Sequence, residues 1–113
     1  AYGSIVAAGA NARVLHYRAD NAPLRDGELV LIDAGGELDG YASDITRTFP
    51  VNGRFSGPQR DVYELVLASQ AAAIAAVKPG SPWNAPHDAA VKVLAQGFVD
   101  LELCEGPVER VLE

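Results

Sequence analysis

Leu29-Val30-Leu31-Ile32-Asp33-Ala34-Gly35, continued after Gly36-Glu37-Leu38-Asp39 by Gly40-Tyr41-Ala42-Ser43-Asp44-Ile45-Thr46-Arg47-Thr48-Phe49-Pro50, decides how the chain is read. Leu29 to Ile32 is an unbroken apolar run between glycines, which predicts a strand buried on both faces. Tyr41 to Phe49 reads as its partner strand, with Tyr41, Ser43, Ile45, Arg47 and Phe49 on one face and Ala42, Asp44, Thr46 and Thr48 on the other. Glu37-Leu38-Asp39-Gly40 is the turn between them. A carboxylate placed directly after four apolar residues is costly to bury unless something pairs with it, and Asp33 holds that position. One hairpin register sets Asp33 directly opposite Asp44, with Cβ atoms roughly 4.5–5.5 Å apart. A competing register, with Gly40 as a bulge residue, pairs Asp44 with Ala34 and sends the two carboxylates to opposite faces. The sequence leaves both registers open.

Two facing carboxylates about 4 Å apart, at an effective dielectric of about 20, repel by about 4 kcal/mol. Either a shared proton or a cation between them must relieve this. An all-oxygen site favours manganese, magnesium or calcium; a histidine from elsewhere extends the choice to zinc or cobalt. Two ions in such a site could bridge a water and make it a nucleophile near neutral pH. The other aspartates have plainer readings. Asp20, Asp26 and Asp39 suit turns, and Asp61, Asp88 and Asp100 suit helix surfaces.

Outward from this hairpin, Ser4 to Ala8 reads as a short strand and Gly9-Ala10-Asn11 as a turn. Val14-Leu15-His16-Tyr17 reads as a second strand, broken at Asp20-Asn21-Ala22-Pro23. Beyond Pro50 and the Asn52-Gly53 turn the pattern becomes helical. Ser56 caps a helix from Pro58 to Lys78, with Gln59 three residues on and Val62, Leu65, Val66, Ser69, Ala73, Ile74 and Val77 as its apolar stripe. Lys78-Pro79-Gly80 stops it. A second helix starts near Asn84, with a stripe of Val91, Leu94, Phe98 and Leu101. Gly97 interrupts that stripe at a cost of roughly 1 kcal/mol relative to Ala, which points to close packing there. Gly106-Pro107 opens a third helix. Strands over 1–55 and helices over 56–113 predict an α+β domain, with helices on one face of a mostly antiparallel sheet.

Composition removes several classes. The net charge is −6 and the nine Lys and Arg are scattered, so no basic stripe exists to displace counterions from a nucleic acid or to hold a membrane surface. The longest apolar run, Ala71 to Val77, is too short to cross a bilayer. One cysteine, Cys104, cannot form an internal disulfide and fits a reducing, cytoplasmic compartment.

The DAG and SDITRTFP stretches, with His16 upstream and Asn52-Gly53-Arg54-Phe55 downstream, resemble the Xaa-Pro aminopeptidase (aminopeptidase P) and prolidase family. The resemblance runs over essentially the whole chain. It implies the first half of a pita-bread catalytic domain. It implies a peptidase that hydrolyses the N-terminal Xaa-Pro bond through a metal-bridged water or hydroxide, using two divalent ions, manganese first and zinc or cobalt next. Asp33 would hold one ion and Asp44 both. His16 would contact a peptide with proline in second position, and Thr46 would support a metal ligand rather than the ion itself. The family's remaining ligands, one histidine and two glutamates, are absent; Glu102, Glu105, Glu109 and Glu113 lie in helix or turn sequence. The chain is therefore expected to be a fragment, inactive alone, with apolar surface that drives self-association or homo-oligomer formation.

Three other readings stand beside this one. A prolidase-type dipeptidase fits the same residues. A non-catalytic pita-bread binding module fits the fold, although such relatives usually lose ligand positions. Ile32-Asp33-Ala34-Gly35 also resembles the aspartic protease signature, but Ala34 replaces its hydroxyl residue and the helical second half does not suit an all-β enzyme.

Overall fold

The run Leu29–Ile32 forms the middle of the sheet, as its β-branched and apolar content dictates. In the computed structural model, which describes residues 2–19 and 21–112, β1 (Ile5–Ala8), β2 (Leu29–Ala34) and a later strand, Ile45–Pro50, form a three-stranded antiparallel sheet with β2 central. Between β2 and that strand, β3 (Glu37–Leu38) and β4 (Tyr41–Ala42) form a two-stranded ladder; Ile45–Pro50 is therefore β5. Asp39 and Gly40 close the tip with φ of 51° and 82°. Positive φ at both central residues is the signature of a type I′ hairpin turn, for which Asp-Gly is a preferred pair.

That turn fixes the register. Leu38 pairs with Tyr41 and Glu37 with Ala42. Ser43 N–H donates to the Gly36 carbonyl at 2.9 Å, and Ala34 pairs with Ile45 and Asp33 with Thr46. Neither expected register occurs. Asp44 falls in step with Gly35, so it lies diagonal to Asp33 rather than opposite it. The shift from direct opposition is two residues, which preserves the face, because side chains alternate with a period of two. The single expected strand from Tyr41 to Phe49 is also interrupted, at Ser43–Asp44.

Two further expectations fail in this unit. Val14-Leu15-His16-Tyr17 is not a strand. It follows a 3-10 turn, Gly9–Arg13; His16 takes a left-handed φ of 53°, and the Tyr17 hydroxyl accepts from Asn11 Nδ2 at 3.2 Å. A left-handed residue cannot sit in a regular strand. β2 is not buried on both faces either: Val30 is buried and its neighbours are half-buried. Its flanking strands satisfy its backbone but leave its faces to other cover.

The helical unit begins at Gly57. α1 spans Gly57–Ala76, α2 Ala85–Asp100 and α3 Val108–Val111. α1 stops before Lys78-Pro79, since the residue before a proline disfavours the helical region. Its inward face keeps Leu65, Ser69 and Ala73 of the expected stripe but not the rest. Ser69 is buried and Leu65, Ala72, Ala73 and Ala76 are half-buried, whereas Val62, Val66, Ile74 and Val77 are exposed, the last two at 65% and 69%. Small residues let the helices approach: Ser69 Oγ donates to the Ala90 carbonyl at 3.3 Å. At Gly97, buried in α2, an added Cβ would lie 2.1 Å from Leu65 Cδ1, so the close packing expected there is present. Asp20 and Glu113 lie outside the described residues.

Candidate metal centre

The strand unit brings three oxygens together. Tyr2 precedes β1, and β1 runs antiparallel to β2 with Ile5 opposite Asp33. The residues before Ile5 therefore run past Asp33 toward Gly35 and Gly36. The Tyr2 hydroxyl meets Asp33 Oδ1 and lies 2.8 Å from Asp44 Oδ1. Asp33 is half-buried and Asp44 exposed. Asp33 is thus the more desolvated carboxylate, at the end of the apolar strand.

A phenol carries one hydrogen and gives it fully to one acceptor at a time. Two ionised carboxylates on the same hydroxyl leave one set of lone pairs facing another, which a shared proton or a cation relieves. The hydrogen bond to Asp33, then partial desolvation, then the bond to Asp44 push the Tyr2 phenol above its ordinary value. Tyr2 therefore stays a neutral donor at physiological pH.

The donor chemistry suits a hard or intermediate divalent ion, which takes carboxylate oxygens. The number of donors falls short. Among the described residues no group of three or more His, Cys, Asp or Glu could hold a metal ion. Asp33 and Asp44 therefore suit such an ion in donor type but, among the described residues, not in donor number. Of the later glutamates, Glu102 follows α2 with a left-handed φ of 56° and Glu109 lies in α3.

Thr46 pairs directly with Asp33 across β2 and β5, so the two share a face. His16 is exposed in its turn and does not join the carboxylates in a metal-binding group. Tyr2 was missed by sequence reasoning. Its pairing with Asp33 spans most of the strand unit, and no local pattern signals it. His87 lies on α2.

Gly35 decides how near Asp44 can come. A Cβ there would lie 1.9 Å from the Ser43 carbonyl oxygen and 3.2 Å from Tyr2 Cε1. Ser43 Oγ accepts from Gly36 N–H at 3.1 Å. The break between β4 and β5 is therefore pressed against the end of β2, and Asp44 follows Ser43 into place.

Comparison with known proteins gives a consistent result. The sequence matches the profile of metallopeptidase family M24 over residues 1–108. It is 53% identical over 112 residues to a Xaa-Pro aminopeptidase of Haemophilus influenzae, covering 99% of this chain and 26% of that protein. The fold is similar to that of the Pseudomonas aeruginosa aminopeptidase PepP, with a TM-score of 0.94 and 57% identity over 97% of this chain and 25% of the other. It is also similar to a zinc-substituted Escherichia coli aminopeptidase P in complex with product, with a TM-score of 0.92 and 42% identity over 98% of this chain and 25% of the other. The chain spans about a quarter of the length of these relatives. The α+β pita-bread class expected from the sequence is the class of these neighbours, and the aspartic protease reading is overturned. Among the described residues no helix is long and apolar enough to cross a membrane.

Proposed function

The chain belongs to metallopeptidase family M24, and we propose that it supplies two metal-binding carboxylates, Asp33 and Asp44, to a Xaa-Pro aminopeptidase of the aminopeptidase P type. The observation that carries this reading is the convergence of both carboxylates on the Tyr2 hydroxyl. The names of the relatives support aminopeptidase over prolidase. Intact aspartates favour an enzyme over a binding module.

A pair of divalent ions, when bound, supplies Lewis acidity and activates a water for attack on the peptide carbonyl. The chain's own residues act around that chemistry. Asp33, at the end of β2, presents its carboxylate from a half-buried position that limits competing water. Asp44 sits beside it on the strand break and would hold the ions together with Asp33. Tyr2 donates to Asp33 and orients it, and Thr46 flanks the same carboxylate. His16, on an exposed turn, is the residue expected to contact the substrate rather than the metal. Manganese is the expected ion and the cytoplasm the expected compartment. The remaining ligands come from elsewhere in the full-length polypeptide.

The test uses the full-length polypeptide carrying this segment, assayed on a peptide with proline in second position and on its alanine counterpart. Release of the N-terminal residue from the proline peptide alone, abolished by a chelator and restored by manganese, is the expected result. Equal cleavage of both peptides, or cleavage indifferent to chelation, overturns the proposal. The isolated segment is expected to release nothing, and to self-associate through exposed groups such as Ile74 and Trp83. A monomeric sedimentation profile at high concentration contradicts the second expectation.

A further inference from the structure

We infer that Gly35 and Ser43 form a steric latch that positions the carboxylate pair, with Gly35 required for its missing side chain rather than for its backbone freedom. This rests on the metal-site reading above. Gly35 is not among the glycines with positive φ, so a left-handed backbone is not what demands glycine there. What alanine cannot do is fit. Its Cβ would lie 1.9 Å from the Ser43 carbonyl oxygen and 2.9 Å from the Ser43 carbonyl carbon. Both are backbone atoms and cannot swing aside as a side-chain tip can.

The obstacle is coupled to the site on both sides. Ser43 is bonded directly to Asp44, so a displaced Ser43 carries the second carboxylate with it. Ser43 is also tied to Gly36 through both backbone and side chain, its N–H donating to the Gly36 carbonyl at 2.9 Å and its Oγ accepting from Gly36 N–H at 3.1 Å and donating to the Gly36 carbonyl at 3.5 Å. It cannot retreat without breaking that ladder. The same added methyl would crowd Tyr2 Cε1 at 3.2 Å, and Tyr2 is the side chain that touches both carboxylates. One methyl at position 35 therefore disturbs all three oxygens.

Gly36 is the internal control. It too lacks a positive φ, and a Cβ there would meet nothing within 4 Å. Two adjacent glycines in one motif, neither with a positive φ, thus differ in the space around them.

The experiment titrates the metal-free full-length polypeptide with manganese or zinc by calorimetry, as wild type, Gly35→Ala, Gly36→Ala and Ser43→Ala, with thermal melts of each metal-free protein alongside. The expected result is a Kd weakened tenfold or more in Gly35→Ala, unchanged in Gly36→Ala and weakened severalfold in Ser43→Ala, which loses the Oγ tie without any clash. Wild-type affinity in Gly35→Ala overturns the inference, and so does equal weakening in Gly36→Ala. Should Gly35→Ala fail to fold, Ser43→Ala decides: wild-type affinity there removes the latch. A wild-type protein that binds neither ion sinks the metal-site reading and the latch together, whereas a binding wild type with an unaffected Gly35→Ala sinks the latch alone.

Discussion

Gly35 in the strand unit and Gly97 in the helical unit are both positions where a Cβ has no room, yet the obstacles differ. At Gly35 the nearest atoms are backbone, the Ser43 carbonyl; at Gly97 they are the Leu65 side chain, with Cδ1 at 2.1 Å and Cγ at 2.8 Å. A backbone obstacle transmits displacement along the chain to its neighbour, here Asp44. A side-chain obstacle is absorbed by repacking between two helices. The comparison separates two uses of close approach. In the strand unit it sets the geometry of polar groups; in the helical unit it sets packing density. Substitutions in the first are expected to cost ion binding and activity, and those in the second to cost stability.

The largest expected effect tests the first half of that contrast. Asp33→Asn or Asp44→Asn in the full-length polypeptide should lower kcat/KM by more than the roughly 10–100-fold typical of losing a group that merely supports a metal ligand. The metal-free proteins should melt no lower than wild type, because neutralising one of two adjacent carboxylates removes a repulsion. A melting temperature that falls in step with activity would erase the distinction between site and packing. Tyr2→Phe comes next. It deletes the hydroxyl that meets both carboxylates and keeps the ring, so a loss of ion affinity in the 10–100-fold range is expected, read by calorimetry on the metal-free protein. Unchanged affinity would mean that the phenol is a bystander.

The legibility of the two units differs for the same physical reason. The apolar run at Leu29–Ile32, the carboxylate that ends it and the helical start after Ser56 are local patterns, and each element forms near where its pattern lies. The Asp39-Gly40 pair also carried the register, because a two-residue type I′ turn admits only one pairing of its flanks. A turn centred on Leu38-Asp39, or one with Gly40 as a bulge residue, shifts that pairing by one or two residues. Tyr2 was invisible because its position depends on β1 reaching across to β2, a pairing between distant residues. Val14–Tyr17 misled because four residues are too few to distinguish a strand from a turn. The α1 stripe misled in a different way. Its small members Ser69 and Ala73, with Leu65, do lie inward, and such small residues are what allow α2 to come close, whereas its large members Val62, Val66, Ile74 and Val77 are exposed.

A smaller effect is expected at the hairpin tip. Gly40 sits at φ 82°, where a Cβ costs about 1–2 kcal/mol. Gly40→Ala should lower the stability of the protein by about that much, measured by denaturant unfolding. It should leave ion affinity alone, since nothing lies within 4 Å of the added Cβ and register is also held along β2 and β5. Weakened ion binding would show that the turn, and not the Gly35–Ser43 contact, places Asp44.

The smallest net effect should be at Gly97, because two terms oppose each other. Alanine is a better helix former than glycine by about 1 kcal/mol, while forcing a methyl into a filled contact costs about 1–3 kcal/mol. The balance is a loss of about 1 kcal/mol, visible as a modest drop in unfolding free energy with ion affinity unchanged. A double-mutant cycle isolates the cause. In Leu65→Ala the obstructing atoms are gone, so adding Gly97→Ala to that background should stabilise, leaving only the propensity gain. The sign of the Gly97→Ala effect should therefore reverse between the two backgrounds. No reversal would mean that Leu65 is not what excludes the methyl, and that the helical unit resists substitution through its backbone, as the strand unit does at Gly35.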